Sequence, residues 1–514
     1  MKPSLTRRDF LKITGLLSLS ASLPQYITGP SISQGRSQRD NILIIVFDAW
    51  SAANTSLYGY PRLTTPNLER LARRAVVYHN NYASGNFTTT GTASLFTGTL
   101  PWTHRALELS ETVDRSVARN NIFSAFPGYH RMAYTHNPVA DILLNQFFNA
   151  IDDYIPWTSL YHESDYLINS LFRADPDIAP LSWSRIIKGL DGYSTSLYLS
   201  QLYGYFKRKR AAQMEDIAQF FPRGLPNHDD YTYFTLEQGI DWLANQLISA
   251  PQPFMGYYHF FPPHHPYNTR TDFYQRFTED GYQPRQKPPH LFRGEKPIES
   301  MIRERSWYDE FILYVDAEFA RLYDHLEKSG VLDNTWLVLT SDHGEMFERG
   351  IFGHITQVLH QPVIKVPLLI FPPGGSDRVD VYDSTSAIDL LPTLQHLTGQ
   401  EISGWAEGAI MPPFSSSTPI SDNDVYALHG DKGPGGRINK GTAMLVRDNY
   451  KLMWYFGYEQ LGGDREMLEL YDLRTDPEEL NNLHPAQSSL ASDLLVDLKS
   501  RLNRAEDVYT NTVY

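Results

Sequence analysis

The chain has 514 residues, 41% of them hydrophobic, enough to bury a large core in one or two domains. Its net charge of −14 excludes nucleic acid as the main partner. It contains no cysteine, which excludes disulfides, thiolate metal sites and a cysteine nucleophile.

At the N-terminus, Thr6-Arg7-Arg8-Asp9-Phe10-Leu11-Lys12 precedes a modestly apolar run from Ile13 to Leu23. Twin arginines ahead of a short apolar region resemble a bacterial twin-arginine export signal. The run is too short for a membrane span. Residues 1–36 are therefore expected to be a signal segment and linker. The protein is expected to use the twin-arginine machinery and to work in the periplasm or outside the cell.

Asn41 to Phe47 is the strongest apolar run, and it reads as a buried strand of a parallel sheet that ends at Asp48. Thr65-Pro66 opens a helix, with Thr65 as its cap and Leu68, Leu71, Ala72 and Ala75 on its apolar face. Asn86 to Gly98 is a run of small and hydroxyl residues. Such a run suits a turn entering a helix, where backbone N–H groups can hold an anion. Residues 150–230 are rich in Tyr, Trp and Leu and carry Lys207-Arg208-Lys209-Arg210. They read as a mostly helical insertion whose charge run is a solvated face. Tyr233 to Ile248 reads as a helix leading to a strand, Phe254 to His259.

A second apolar run, Trp336 to Leu339, stops at Ser341, and Asp342, His343 and Glu345 follow at once. Ligands of open α/β sheets sit outside the carboxyl ends of the strands. Asp342 and His343, delivered there side by side, are poised to grip a metal ion. Asp389 to Leu397 reads as a helix ending near Gly399. Beyond about residue 420, Ala443–Arg447 and Tyr450–Phe456 flank Asp448-Asn449, a hairpin signal. Asp476-Pro477-Glu478-Glu479 reads as a helix start.

With these pieces in order, the chain resembles the sulfatase branch of the alkaline phosphatase superfamily, from about Asn41 to about Asn503. The resemblance is carried by Thr64-Thr65-Pro66-Asn67-Leu68, Ala93-Ser94-Leu95-Phe96-Thr97-Gly98 and His259-Phe260-Phe261-Pro262-Pro263-His264-His265-Pro266-Tyr267. It continues through Ser341-Asp342-His343-Gly344-Glu345, Val366-Pro367-Leu368-Leu369-Ile370, Glu469-Leu470-Tyr471-Asp472-Leu473 and Asp476 to Leu483. It implies an α/β fold: a mixed sheet flanked by helices over 40–419, then a small antiparallel sheet plus helix over 420–514.

Members of this family attack a sulfate or phosphate ester with a nucleophile bound to a divalent metal. In the sulfatases the nucleophile is a formylglycine made from the first residue of Cys/Ser-x-Pro-x-Arg. Counting back from Gly98 puts Thr88, Thr90 and Thr92 at the three fixed positions. Threonine cannot be oxidised to an aldehyde, so a formylglycine is excluded there. The same slot is Thr in the family's phosphodiesterases and its phosphoglycerol and phosphoethanolamine transferases. The resemblance thus implies Thr88 as nucleophile, with Asp48, Thr88, Asp342 and His343 around the metal. His264 and His354 match substrate-side histidines, able to bind ester oxygens or move a proton. His136, His259 and His265 are weaker candidates.

Ala49 stands where calcium sulfatases carry a second Asp, and Pro262 and Pro263 stand where two-metal phosphodiesterases need another. One divalent ion is therefore expected. The mixed carboxylate, hydroxyl and imidazole set favours Mn or Zn over Mg or Ca. Thr92 replaces an Arg that would hold an oxyanion, and Lys432, Arg437 and Lys440 are candidate substitutes. Three readings stay open. The first is a hydrolase or transferase acting on phosphate mono- or diesters, glycan- or lipid-linked, through Thr88. The second is a sulfatase without formylglycine. The third is a catalytically silent binding protein that kept the fold.

Overall fold

The computed structural model describes residues 39–162, 215–228, 233–415, 424–463 and 466–513. The export signal, most of the aromatic insertion and its basic run lie outside the described residues.

In chain order, the larger layer is built from β1 (Asn41–Phe47), α1 (Pro66–Leu71), β2 (Val76–Tyr82), α2 (Thr88–Thr97), β3 (His130–Thr135), α3 (Pro138–Gln146), β4 (Asp153–Ile155), α4 (Leu236–Ile248) and β5 (Phe254–Phe260). It continues with α5 (Ile298–Lys328), β6 (Thr335–Thr340), a small ribbon of β7 (Met346–Glu348) and β8 (Ile351–Gly353), then β9 (Leu368–Phe371), β10 (Val379–Ser386) and α6 (Leu390–Leu397). The smaller layer comprises β11 (Val425–Lys432), β12 (Ile438–Arg447), β13 (Tyr450–Phe456), β14 (Glu466–Asp472) and the terminal helix α7 (Ser488–Val513).

The main sheet has eight strands in the order β10-β2-β9-β6-β1-β5-β3-β4. It is mixed, because β9 runs antiparallel to both β2 and β6. The central strands β6, β1, β5 and β3 are parallel to one another. Their carboxyl ends therefore share one edge. Both faces are covered, as the unbroken apolar run of β1 requires. Alternate side chains enter two cores. Leu43, Ile45 and Phe47 pack with Leu68 of α1, Leu243 of α4 and Phe319 of α5. Ile42, Ile44 and Val46 pack with Phe96 of α2, Leu144 of α3 and Leu394 of α6. The second sheet is antiparallel, β11-β12-β13-β14. One of its faces lies on α7 through Leu494, Leu498 and Leu502, and the other packs against Val358, Val363 and Ile364 of the main layer.

The expected α/β architecture is the one observed, and so is the hairpin. Asp448 and Asn449 have φ of 50° and 65°, the left-handed pair that a two-residue turn between twisted strands needs. Two local expectations fail. Thr65 precedes α1 with Pro66 in the first turn, but its side chain makes no cap hydrogen bond. The Asp316 carboxylate of α5 takes that role across the core, accepting from the backbone N–H groups of Asn67 and Leu68 at 2.9 and 2.7 Å. Thr65 instead bonds Ser56 and the N–H of Leu57.

Asp476-Pro477-Glu478-Glu479 starts no helix, and the terminal helix begins at Ser488. Asp476 instead closes a loop, accepting from Leu480 and Asn481 N–H at 2.9 and 2.8 Å. Glu479, however, sits at φ 57°, outside the helical region. Its buried carboxylate is drawn inward to Lys451 at 2.6 Å, which overrides the local helix signal.

Candidate active site

The shared carboxyl edge of the central strands gathers the polar side chains. β1 delivers Asp48, β6 delivers Asp342 and His343, β5 carries His259 near its end, and β3 leads into His136 and Asn137. Thr88 is the first residue of α2, whose N-terminal N–H groups are the positive end of the helix. That helix comes close because residue 91 is glycine: a Cβ there would lie 2.1 Å from the carbonyl oxygen of Asp342.

Asp48, Asp342 and His343 are all buried, and one ligand atom from each lies within 4.8 Å of the other two. His343 Nε2 is 3.4 Å from Asp48 Oδ1 and 3.5 Å from Asp342 Oδ2. Thr88 Oγ1 is 3.3 Å from His343 Nε2. His343 Nδ1 is 2.9 Å from the Gly344 carbonyl oxygen, to which it donates, so Nε2 is the nitrogen that faces the carboxylates and Thr88. Asp342 Oδ1 accepts from the N–H groups of His343 and Ala49 at 3.0 and 3.3 Å. Asp342 Oδ2 and Asp48 Oδ1, by contrast, have no hydrogen-bond partner.

These unpaired atoms test whether a cation fits. Two buried carboxylates close together repel, and each costs several kcal/mol to desolvate. Burial and then the Asp48 charge push the Asp342 carboxyl up. Burial would also raise Asp48, but a hydrogen bond to His259, the His264 charge and His343 bring it well below the carboxylate range. Burial opposes charge on His343, yet Asp342 and Asp48 raise it to about 9. That leaves a proton on Nε2 between the carboxylates, which a divalent ion would displace; the orphan carboxylate oxygens, the imidazole nitrogen and the adjacent hydroxyl then make an anionic N/O donor set.

The structure brings all the principal predicted residues together. His264 and His354 lie on the same side, their ring centroids 4.8 Å apart, with His354 also 4.3 Å from His343. Each has its Nδ1 engaged. His264 donates to the His265 carbonyl oxygen at 2.6 Å, and His354 pairs with Glu345 Oε1 at 3.1 Å. Burial pushes His264 down to about 4. Burial and then His343 lower His354 well below the usual imidazole range.

Of the weaker candidates, His259 joins the cluster, with Nε2 3.2 Å from Asp48 Oδ2. His136 does not. Its ring stacks on Phe234 at 4.5 Å, and burial drives it down to about 3. His265 packs edge-on against Tyr267 and Phe352. The expected substitute cation is a correction. Lys432, Arg437 and Lys440 are already paired with Glu111, Asp507 and Asp431, so none is a spare charge.

Asn137 was missed. Its Oδ1 caps α3 by accepting from Val139 N–H at 2.7 Å, while Nδ2 donates to Asp48 Oδ2 at 2.5 Å and to Thr88 Oγ1 at 3.3 Å. The signal was present: Asn-Pro directly after a strand marks a helix start at the functional edge of the sheet.

Comparison with known proteins gives the family and the fold around this site. The sulfatase family model matches residues 40–400, and the C-terminal model of N-sulphoglucosamine sulphohydrolase matches 348–507. Choline-sulfatase of Rhizobium meliloti is 24% identical over 472 residues, covering 87% of this chain and 82% of that protein. N-acetylglucosamine-6-O-sulfatase of Bacteroides thetaiotaomicron is 22% identical over 506 residues, covering 87% and 83%. Among solved structures, the phosphonate monoester hydrolase of Agrobacterium radiobacter superposes with a TM-score of 0.64 at 18% identity, covering 90% of this chain and 96% of that one.

Proposed function

The chain belongs to the sulfatase family, and on that premise we propose that this ester hydrolase acts on phosphate mono- or diesters through a metal-assisted Thr88 nucleophile. The observation that carries the proposal is the position of the Thr88 hydroxyl. It lies at a helix N-terminus, 3.3 Å from both His343 Nε2 and Asn137 Nδ2, beside carboxylates with unpaired oxygens. A side chain that cannot become formylglycine thus sits where a nucleophile is needed. A divalent ion held by Asp48, Asp342 and His343 would supply positive charge favouring the Thr88 alkoxide and offsetting the ester's anionic oxygens. The donor set favours Mn or Zn.

In the first step Thr88 Oγ forms a bond to phosphorus and the bond to the leaving oxygen breaks, its electron pair departing with that oxygen. The Thr88 proton passes through an imidazole to the leaving group. Engagement of Nδ1 in both His264 and His354 leaves Nε2 as the proton-accepting atom of each. In the second step water attacks phosphorus, His354 takes its proton, and Thr88 departs and regains one. Asn137, donating to both Asp48 and Thr88, holds the nucleophile against the carboxylate.

A phosphothreonine has no internal route to elimination, so it accumulates when the second step slows. His354→Ala, quenched in acid during turnover of a phosphodiester, is expected to carry phosphate on the Thr88 peptide. Full activity in Thr88→Ala sinks the proposal. Sulfate ester hydrolysis through the same hydroxyl is the second reading, favoured by the names of the relatives: choline-sulfatase and N-acetylglucosamine-6-O-sulfatase. Matched phosphate and sulfate esters, assayed with added Mn, Zn, Mg and Ca, separate the two. The proposal includes export by the twin-arginine route, supported by Arg7-Arg8. Replacing both with Lys is expected to leave precursor in the cytoplasm, and unchanged export removes that part.

A further inference from the structure

A second cluster of metal-ligating side chains lies where the two sheets meet. His290 comes from the stretch before α5, His360 lies six residues beyond His354, and Glu469 is on β14. All three are buried, with one ligand atom from each within 4.8 Å of the others. His290 Nε2 is 3.5 Å from Glu469 Oε1, and His360 Nε2 is 3.7 Å from Glu469 Oε2. Around a zinc ion with bonds of about 2.0–2.1 Å, tetrahedral ligand atoms stand about 3.3 Å apart. The observed spacing is close to that edge.

Hydrogen bonding leaves the same atoms unsatisfied. Neither His290 Nε2 nor His360 Nε2 has a partner. His360 Nδ1 is 3.0 Å from the ionised Glu479 carboxylate, so Nδ1 carries the proton and bare Nε2 faces Glu469. A lone pair facing a carboxylate is repulsive. A second proton on His360 would turn the contact into an ion pair at 3.7 Å, so a proton and a metal ion compete for Nε2. Glu469 is already oriented by the Tyr455 hydroxyl, which donates to Oε2 at 2.7 Å. Glu479 is matched by Lys451 at 2.6 Å. That leaves the two imidazoles as the groups nearest the Glu469 charge, with Lys451 acting on it from farther off.

A carboxylate behind one imidazole and a phenol behind the ligating carboxylate are the outer supports that metal ligands need. One contact competes. Phe292 N–H lies 3.2 Å from His290 Nδ1, and ligation through Nε2 requires a proton on Nδ1 instead, so that contact must give way.

We propose that His290, His360 and Glu469 form a second site, for a zinc-class divalent ion, which staples the C-terminal sheet to the loop that carries His354. It is structural, with Glu469 turning one oxygen to each imidazole, and it takes no part in ester chemistry.

The test counts metal on the full-length chain by plasma mass spectrometry, after zinc loading and removal of loose ion on a chelating resin. Wild type is expected to hold two ions, and the Asp342→Asn/His343→Ala double variant one. Glu469→Gln is expected to lose one ion, and zinc-edge absorption of the double variant should show nitrogen and oxygen neighbours with a two-imidazole signature. Zero ions in the double variant overturn the proposal, even should Glu469→Gln fail to fold. So does an ion that survives Glu469→Gln in the triple variant. Failure of the active-site reading gives a different pattern: the double variant keeps as many ions as wild type, while Glu469→Gln still loses one.

Discussion

Two buried clusters of charge flank the stretch from His343 to Gln361, and they use their oxygens differently. Around Glu479, Oε1 meets Lys451 at 2.6 Å, and Oε2 meets His360 Nδ1 at 3.0 Å and Gln361 N–H at 2.8 Å. Positive and negative charge are matched inside a closed interface. Around Asp48 and Asp342, like charges are brought together and one oxygen of each is left without a partner. Folding alone favours the first arrangement and opposes the second, since an unpaired buried charge costs several kcal/mol. A cluster that stays unsatisfied while its surroundings are well packed is held for something that binds there. The same residue types therefore read as a joint in one place and as a site in the other.

The largest expected effects separate these roles by activity. Thr88→Ala and Asp342→Asn are each expected to lower kcat/KM by about a thousandfold or more, roughly 4 kcal/mol of barrier. Neither should broaden or lower the thermal transition of the chelated protein. Steady-state kinetics on a phosphodiester and scanning calorimetry check this pair of statements. A variant that loses activity only by unfolding would erase the contrast.

At the joint, the same kind of change is expected to act on stability. Lys451→Met leaves Glu479 buried without its cation and should cost about 3–5 kcal/mol in urea unfolding. The double variant Lys451→Met/Glu479→Gln should recover much of that, because both charges leave together. A double variant as unstable as the single would show that packing, not pairing, matters there.

Acid sharpens the distinction further. Burial would raise the Glu479 carboxyl, but Lys451 and then His360 hold it well below its ordinary value. A group depressed in the folded state contributes stability above its unfolded value of about 4.3. That contribution is lost as pH falls through the folded value. Glu479→Gln should therefore flatten the acid limb of the stability curve, measured by urea midpoints from neutral to acid pH.

How much of this was legible follows the same division. β1 and β6 were readable because a strand buried on both faces must be apolar throughout, and their ends pointed to Asp48, Asp342 and His343. Thr88 required the family resemblance, with a count back from Gly98 to set the register. The joint was not legible. Glu479 looked like a first-turn acid of a helix, because nothing local tells of Lys451 across the sheet or of a backbone at φ 57°. Thr65 failed for a similar reason. Its place as cap was taken by Asp316, roughly 250 residues away in sequence. Local rules located what the strands present at their ends. They could not locate partners that only tertiary packing supplies.

The smallest expected effect is the most discriminating, because its sign at Asp342 is opposite to that at Glu479. Burial and then Asp48 push the Asp342 carboxyl up. A carboxyl raised in the folded state takes up a proton more readily there than when unfolded, so wild-type chelated protein should gain stability as pH falls toward that value. At neutral pH the ionised form is a net cost. Asn at 342 removes the charge and keeps a carbonyl oxygen for the N–H groups of His343 and Ala49, while its amide can donate toward Asp48. Chelated Asp342→Asn should thus be at least as stable as wild type and should lack the gain in acid. Adding metal should reverse the order. Wild type would gain about 2.7 kcal/mol at a free ion concentration of 100 Kd, and the variant little. Urea unfolding of both proteins, chelated and metal-loaded, measures all four values. A chelated variant several kcal/mol weaker than wild type would make Asp342 part of the scaffold and end the contrast between joint and site.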